Sequence, residues 1–195
     1  GAGYMSPLMA GMAITHFVGV LAGALVLRAT RAWSWALVVL TIVTSLGILV
    51  TSQVTGGVLA TLTQAINEAA GGASTPEAQQ LSQAFASEAQ ATGYLTWVSV
   101  ISAVLGLLLG RWWQALLYNP GGFREEMHAL RMPLPVAAAG MLLWIYCLVS
   151  EHFVFWGAVA AFPIMVAGIC LIHWLVARKG WGRGPLIAMY VMLVI

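Results

Sequence analysis

The sequence predicts an all-α protein built as a polytopic bundle of transmembrane helices, and three observations support this fold class. Hydrophobic residues make up 61% of the 195 residues and charged residues only 7%, whereas soluble domains carry roughly 25% charged residues. Apolar runs of helical length recur along the chain. Lys and Arg occur only in short clusters between these runs, and the remaining loops carry acidic charge alone. We therefore predict five spans, followed by a truncated sixth.

The charge pattern also predicts the orientation of the spans. The segment from Gln53 to Thr92 contains three Glu but neither Lys nor Arg, and Glu151-His152 forms a second outer hinge. Short loops rich in Lys and Arg stay on the cytoplasmic side of a membrane. The loops with basic clusters are therefore expected in the cytoplasm and the acidic loops outside. The basic clusters are Arg28 with Arg31, then Arg111, Arg124 and Arg131, and finally Arg178, Lys179 and Arg183.

The spans follow from the positions of the apolar runs. A run of about 20 residues covers about 30 Å as a helix, which matches the hydrocarbon core. Pro185–Ile195 begins a sixth run but has only 11 residues. Because the chain also starts without Met, we expect residues 1–195 to be a single transmembrane domain from a longer protein. The five complete spans are predicted at Leu8–Leu27, Trp33–Ser52, Tyr94–Gly110, Pro133–Val149 and Phe153–Ala177.

Residues 53–92 form the only long polar segment, and they are predicted to be an extracytoplasmic helical loop. Ser74-Thr75-Pro76-Glu77 has the arrangement of a capping box with Pro in the first helical turn. Leu81 and Phe85 would then share one face of that helix. Two interpretations stay open: a surface hairpin that joins two spans, or a lid over an outward-facing pocket.

Two stripes of small residues predict where the spans pack together. Small side chains at every fourth position let another helix backbone approach closely. Tryptophans near the ends of the apolar runs, such as Trp33 and Trp113, are expected as a belt at the membrane surface. The stripes are Gly11, Thr15, Gly19 and Gly23 in the first span and Ser102, Gly106 and Gly110 in the third.

Candidate ligand-binding residues are few. His16 is the sole ionisable residue expected at the bilayer centre, either as a neutral imidazole bonded to a neighbouring helix or as a ligand contact. Glu151 and His152 are the candidates at the outer surface, where they and the loop could close over a small apolar solute. Cys147 and Cys170 are predicted at different depths, which excludes a disulfide.

The sequence suggests no catalytic or metal chemistry. His128 and His173 are expected at depths other than those of His16 and His152, so the four imidazoles would not share a metal ion. Neither a nucleophile with a base nor a pair of acids can be assembled, which argues against an enzyme. We expect no metal, no cofactor and, because the basic residues serve as topology signals, no nucleic-acid partner.

Residues 111–132 are predicted to form a cytoplasmic elbow. Asn119-Pro120-Gly121-Gly122 is a strong turn sequence, in which Pro fixes φ and Gly supplies a positive φ. Phe123, Met127 and Leu130 would then line one side of a short amphipathic helix. The residues predicted to shape the elbow or contact a partner there are Arg111, Asn119, Pro120, Gly121, Gly122, Phe123 and Arg124.

The run from Gly110 to Pro133, with Arg-Trp-Trp-Gln, Tyr-Asn-Pro-Gly-Gly-Phe and Leu-Arg-Met-Pro, resembles the YybS-like family of bacterial inner-membrane proteins. Leu171–Ala177 and the basic loop after it are also similar, and the resemblance covers most of the region from Gly93 onward. It implies a multi-pass protein of the bacterial inner membrane with further spans at both ends. The family is grouped with the substrate-binding components of energy-coupling-factor vitamin transporters, which implies binding of a small solute.

Two functional classes are compatible with these features. The first is a small-solute-binding or transport-related membrane subunit, favoured by the resemblance and by the outer loop. The second is a noncatalytic structural or assembly subunit, which would contact another membrane protein or a second copy of itself through the elbow helix or a small-residue stripe. An apolar cavity with a ligand would favour the first class, and a fixed protein partner would favour the second.

Overall fold

The computed structural model describes residues 7–63, 85 and 87–194, and every regular element in this part of the chain is helical. The all-α prediction is therefore confirmed. A 3-10 turn at Glu151–Phe153 precedes the sixth of the helices named here, and residues 59–63 are also helical. The helices are α1 (Pro7–Thr30), α2 (Trp33–Thr55), α3 (Glu88–Tyr118), α4 (Gly122–Ala129), α5 (Leu134–Leu148), α6 (Val154–Lys179) and α7 (Gly184–Val194).

Four of the described helices, α1, α2, α3 and α6 with its preceding turn, are long and apolar enough to cross a membrane. A fifth span exists if α4 and α5 count as one, but a bend of 72° separates them. The membrane prediction is thus supported with four to five spans. Helix α7 is apolar but has 11 residues, so its role as a sixth span stays a prediction.

Helix α3 is longer at both ends than the predicted span Tyr94–Gly110. It has 31 residues, which corresponds to a length of about 46 Å and exceeds the ~30 Å hydrocarbon core. At its start, Ser87 caps the helix by accepting a hydrogen bond from Gln90 N at 3.3 Å. At the other end Asn119-Pro120 stops it. The apolar run predicted only the part of α3 that is apolar enough for the hydrocarbon core. The helix continues through polar residues at both ends, so hydrophobicity alone did not show its full length.

The first small-residue stripe packs against α2, as predicted. A Cβ added to Gly23 would lie 3.1 Å from Leu40 Cβ, and one added to Gly19 would collide with Thr44. In the reverse direction, a Cβ on Gly47 of α2 would lie 2.5 Å from Thr15 Cγ2. Glycine therefore permits the close antiparallel contact between α1 and α2.

The second stripe does not pack within the described chain. A Cβ on Gly106 or Gly110 would meet nothing within 4 Å, and Ser102 is exposed. Helix α3 instead buries the neighbouring face of Val100 and Val104. The predicted packing at this stripe is therefore not found among the described residues, because spacing alone does not show which side of a helix faces the bundle.

Two groups of buried residues hold the bundle together. The larger group is contributed by α2, α3 and α6, and Leu130 joins it while Phe123 and Met127 pack on its edge. The predicted apolar side of the α4 helix is thereby confirmed. The smaller group lies at the opposite end and consists of Leu8, Ile48, Val58 and Leu95.

Much of the predicted extracytoplasmic loop lies outside the described residues. Helix α2 continues to Thr55 before Gly56 ends it with φ 77°, and α3 begins at Glu88. The predicted helix start at Ser74-Thr75-Pro76-Glu77 and the position of Leu81 fall in the undescribed part. The choice between a surface hairpin and a lid therefore remains open.

Candidate functional site

We call the end of the bundle where α3 ends and α2 begins the basic end, because Arg111, Arg124 and Arg131 lie there. The opposite end, with Glu88 and Glu151, is the acidic end. Two arginines at the basic end stack on one aromatic ring. The guanidinium carbons of Arg131 and Arg178 lie 4.6 and 4.9 Å from the ring centroid of Trp174. Such cation–π contacts occupy both arginines and link the α4–α5 elbow to α6.

Glu126 ties α4 to two other helices at the basic end. Its carboxylate accepts hydrogen bonds from Trp33 Nε1 at 3.0 Å and Arg111 Nε at 3.1 Å, and it pairs with a second nitrogen of the Arg111 guanidinium. Burial alone would raise the pKa of Glu126, but the hydrogen bonds from Arg111 and Trp33 and the arginine charge outweigh it, so the pKa is lowered. The cluster stabilises the position of α4 beneath the bundle.

Trp33 has a different role from the one predicted. It was expected in the belt at the membrane surface, yet only 3% of its surface is exposed, and its indole donates to Glu126. Trp113 and Trp181 are 65% and 54% exposed, as interfacial rings should be. The sequence placed Trp33 at a span end correctly but could not show that this end is covered by α4.

The turn between α3 and α4 has the predicted geometry. Gly121 has φ 92°, and Gly122 N donates to Asn119 O at 3.0 Å. A side chain on Gly122 would collide with Asn119. Arg111 lies on α3, above the turn, rather than inside an elbow that starts at that residue.

A cleft of about 610 Å³ lies between α3, α4, α6 and α7 near the basic end. Its wall is apolar, and its rim carries four polar groups, Arg124, His128, His173 and Tyr190. The volume falls in the ~300–1,000 Å³ range of small-molecule sites, which are commonly apolar with a few placed polar groups. The apolar wall includes Ile101, Val104, Leu108, Phe162, Val166, Ile169 and Cys170.

Two further clefts adjoin this one. A cleft of about 510 Å³ shares Arg124, His128 and His173 and continues towards Trp181. A cleft of about 480 Å³ shares Ile101, Phe162 and Met165 and is also lined by Met141 and Trp144 of α5. The three basic side chains therefore stand where a polar opening meets an apolar interior.

The rim groups influence one another. His173 Nε2 and the Tyr190 hydroxyl lie 2.8 Å apart and form a hydrogen bond between α6 and α7. Burial lowers the pKa of His128, and the positive charges near it, Arg124 first, then His173 and Arg131, lower it further. Sequence reasoning treated His128 and His173 separately, since 45 positions separate them in the chain. Only the fold brings them together.

The predicted ligand residues are not part of these clefts. His16 is half-buried on α1 and makes an edge contact with Phe17, with ring centroids 5.9 Å apart. At the acidic end, Glu151 O accepts from Gln90 Nε2 at 2.8 Å, and His152 Nδ1 lies 3.3 Å from Ser87 Oγ. Among the described residues no hydrogen bond, ion pair or ring contact joins His16 to Glu151 or His152. Their role in binding stays a prediction.

Glu88 is a further polar centre that sequence reasoning missed. It accepts hydrogen bonds from Val58 N at 2.5 Å, Leu59 N at 2.9 Å, Ser52 Oγ at 3.0 Å and Thr92 Oγ1 at 3.2 Å. It thereby caps the helix that starts at residue 59 and joins α2 to α3. Its partners satisfy the carboxylate within the fold, so we assign it a structural role.

Within residues 7–63, 85 and 87–194, no three His, Cys, Asp or Glu side chains come close enough to hold a metal ion. Cys147 and Cys170 are both free and buried, in agreement with the predicted absence of a disulfide. Comparison of the chain with protein families, curated proteins and solved structures finds no match. The resemblance to the YybS-like family therefore stays a prediction.

Proposed function

We propose that this integral membrane protein is a noncatalytic, small-solute-binding or transport-related subunit that holds its solute in the cleft near the basic end. The observation that carries the proposal is the cleft itself, with an apolar wall of helix side chains and a rim of four polar groups. When an apolar solute binds against such a wall, the apolar surface of the solute is removed from water or from the headgroup region. Each Å² that is removed from water contributes about 25 cal/mol of favourable binding free energy.

The edges of the cleft leave it open to a solute. Leu105 and Met165 line it and are 51% and 40% exposed, so it opens sideways on the apolar surface of the bundle. The adjoining cleft at Trp181 provides a second opening at the basic end. An apolar solute is thus able to reach the site from the membrane and a polar one from the basic side.

The resemblance to YybS-like proteins supports the same proposal at the level of the family. It implies a bacterial inner membrane and the binding of a small solute, as in the transporter components with which that family is grouped. An analogy of this kind favours a function but does not show which residues carry it out. The proposed site therefore depends on the cleft alone.

An assembly subunit is the second candidate, and the open stripe on α3 favours it. Gly106 and Gly110 face away from the bundle, and each directly follows a leucine that is more than half exposed, Leu105 and Leu109 respectively. Such a stripe suits close packing against a helix of another membrane protein or of a second copy. In this case the protein would copurify with a partner and would need no solute.

A pair of neighbouring substitutions tests the proposal. Leu108→Trp fills the cleft, whereas Leu109→Trp places the same ring on the exposed side of α3, where 54% of Leu109 is accessible. The protein would be extracted gently, and retained small molecules would be measured by native mass spectrometry. We expect a retained solute in the wild type and in Leu109→Trp, and its loss in Leu108→Trp.

Two outcomes would decide against solute binding. One is a solute-free wild-type protein in complex with a stoichiometric protein partner, particularly if Gly106→Leu releases that partner. The other is equal solute retention by the two tryptophan variants, which would place the solute elsewhere. Matching thermal stability of both variants is the control for correct folding.

A further inference from the structure

The cleft carries positive charge that no acidic residue of its lining balances. Arg111 is paired with Glu126, and Arg131 and Arg178 lie on the Trp174 ring. Arg124, by contrast, has neither an ion-pair partner nor a stacking ring among the described residues. The described linings of both clefts at Arg124 contain no Asp or Glu.

Two imidazoles stand beside this free guanidinium. His128 follows Arg124 by four residues, one turn along α4, and His173 faces them from α6. The Tyr190 hydroxyl engages His173 Nε2, which leaves Nδ1 of that ring for another partner. One guanidinium and two imidazoles thus offer several N–H donors around the same opening, which is the arrangement that binds a carboxylate or phosphate through charge-assisted hydrogen bonds.

The lining of the cleft behind these basic groups is apolar, so it does not suit a fully polar anion. Behind the basic groups the wall is formed by apolar side chains such as Leu108, Phe162 and Val166. The sideways opening at Leu105 and Met165 faces the apolar surface of the bundle. A ligand that satisfies both regions needs an anionic head at the rim and an apolar body inside.

We infer that the solute is a single-chain anionic amphiphile that enters from the membrane, with its carboxylate or phosphate head at Arg124, His128 and His173 and its chain in the cleft. This inference rests on the proposed function and specifies its substrate class. A neutral apolar solute would contact the apolar wall but would leave the N–H donors of Arg124 and His128 and the Nδ1 atom of His173 unused, so it would make fewer of the contacts that the cleft offers.

The test uses the whole chain in nanodiscs of phosphatidylcholine, a lipid without net charge. Three photoreactive probes with the same diazirine-bearing dodecyl chain would be compared: the carboxylic acid, the phosphate and the alcohol. We expect the acid or the phosphate to label peptides that contain Phe162 or Met165 about tenfold more than the alcohol does, a ratio equivalent to ~1.4 kcal/mol. The anionic probe that labels more strongly identifies the head group.

Substitution of the charge is the second arm. Arg124→Gln should reduce labelling by the anionic probes to the level of the alcohol, and Arg124→Lys should restore part of it. Arg183→Gln is the matched control, because Arg183 is exposed in the loop before α7 and lines neither cleft. Equal loss of labelling in Arg124→Gln and Arg183→Gln would overturn the assignment of the head group.

The remaining outcomes separate the inference from the proposed function. Equal labelling by the acid, the phosphate and the alcohol, abolished by Leu108→Trp, would overturn the anionic head but keep the cleft as a binding site. Absence of labelling by all three probes would overturn both. Inorganic phosphate at millimolar concentration should not reduce labelling by the anionic probes. If it does, the ligand is a soluble anion rather than an amphiphile, and the inference is overturned.

Discussion

At the scale of single residues, Glu126 has the clearest structural role. It lies on α4, outside the long apolar helices, and holds α4 against Trp33 of α2 and Arg111 of α3. The adjacent Glu125 is exposed, which makes it a matched control on the same helix. The two carboxylates differ in their contacts although they are neighbours in the sequence.

Glu126→Gln should destabilise the protein, and Glu125→Gln should not. The amide keeps one acceptor but loses the charge that Arg111 requires, and hydrogen bonds to charged groups contribute about 1.5–3 kcal/mol when they are partly buried. Thermal unfolding in detergent should show a loss of several degrees for Glu126→Gln, at about 2–4 °C per kcal/mol. Equal unfolding temperatures for the two variants would contradict the role assigned to Glu126.

The Glu126 carboxylate also gives a prediction about how stability depends on pH. The pKa of Glu126 in the folded protein is lowered from its ordinary value of 4.5. Its carboxylate therefore contributes stability above that value, and the contribution is lost as the pH falls through the lowered pKa. The difference in unfolding temperature between the wild type and Glu126→Gln should be constant near pH 7 and shrink below pH 4.5. A difference that grows on acidification would reverse the sign and exclude this explanation.

Residue types in the sequence identified the basic end but not its contacts. Arg111 and Glu126 are 15 positions apart, and their pairing depends on α3 continuing to Tyr118 before the chain turns. The meeting of His128 with His173 depends on how α4 lies beneath α6. Side chains that come together through such long-range packing leave no local signal in a single sequence.

At the scale of helices, the apolar runs predicted the existence of the elements better than their limits or contacts. The turn residues at Asn119 and Gly121 gave both the end of α3 and the positive φ, because that conformation restricts the residue type strongly. The two small-residue stripes looked alike in the sequence, yet only the stripe on α1 packs within the described chain.

This difference predicts opposite effects for the same substitution. Gly19→Ala should lower the unfolding temperature, because its Cβ collides with the buried Thr44 and overpacking costs about 1–3 kcal/mol. Gly106→Ala meets nothing within 4 Å and should be neutral or stabilising, since Ala favours a helix by up to ~1 kcal/mol over Gly. Thermal unfolding in detergent measures both, and similar losses in the two variants would show that Gly106 is also packed.

At the scale of the whole molecule, the contacts gather the three basic clusters at one end. Trp33, Arg111 and Glu126 join the start of α2 to the end of α3, and Arg131 meets the last part of α6 at Trp174. The alternation of charge in the sequence predicted this arrangement, because each span reverses the chain direction. It could not predict the cleft, which arises from the tilt and spacing of helices.

The side of the membrane on which the basic end lies is the last prediction. Short basic loops stay in the cytoplasm, so the loop between α6 and α7 should be inside and the 3-10 turn before α6 outside. In a background with Cys147→Ser and Cys170→Ser, a membrane-impermeant maleimide applied to intact cells should label Glu151→Cys and leave Gly182→Cys unlabelled.

Both native positions are exposed in the structure, so accessibility within the protein does not limit the reaction. Permeabilised cells should label both variants equally. Labelling of Gly182→Cys alone in intact cells would invert the topology and place the cleft, with its three basic groups, on the outer side of the membrane.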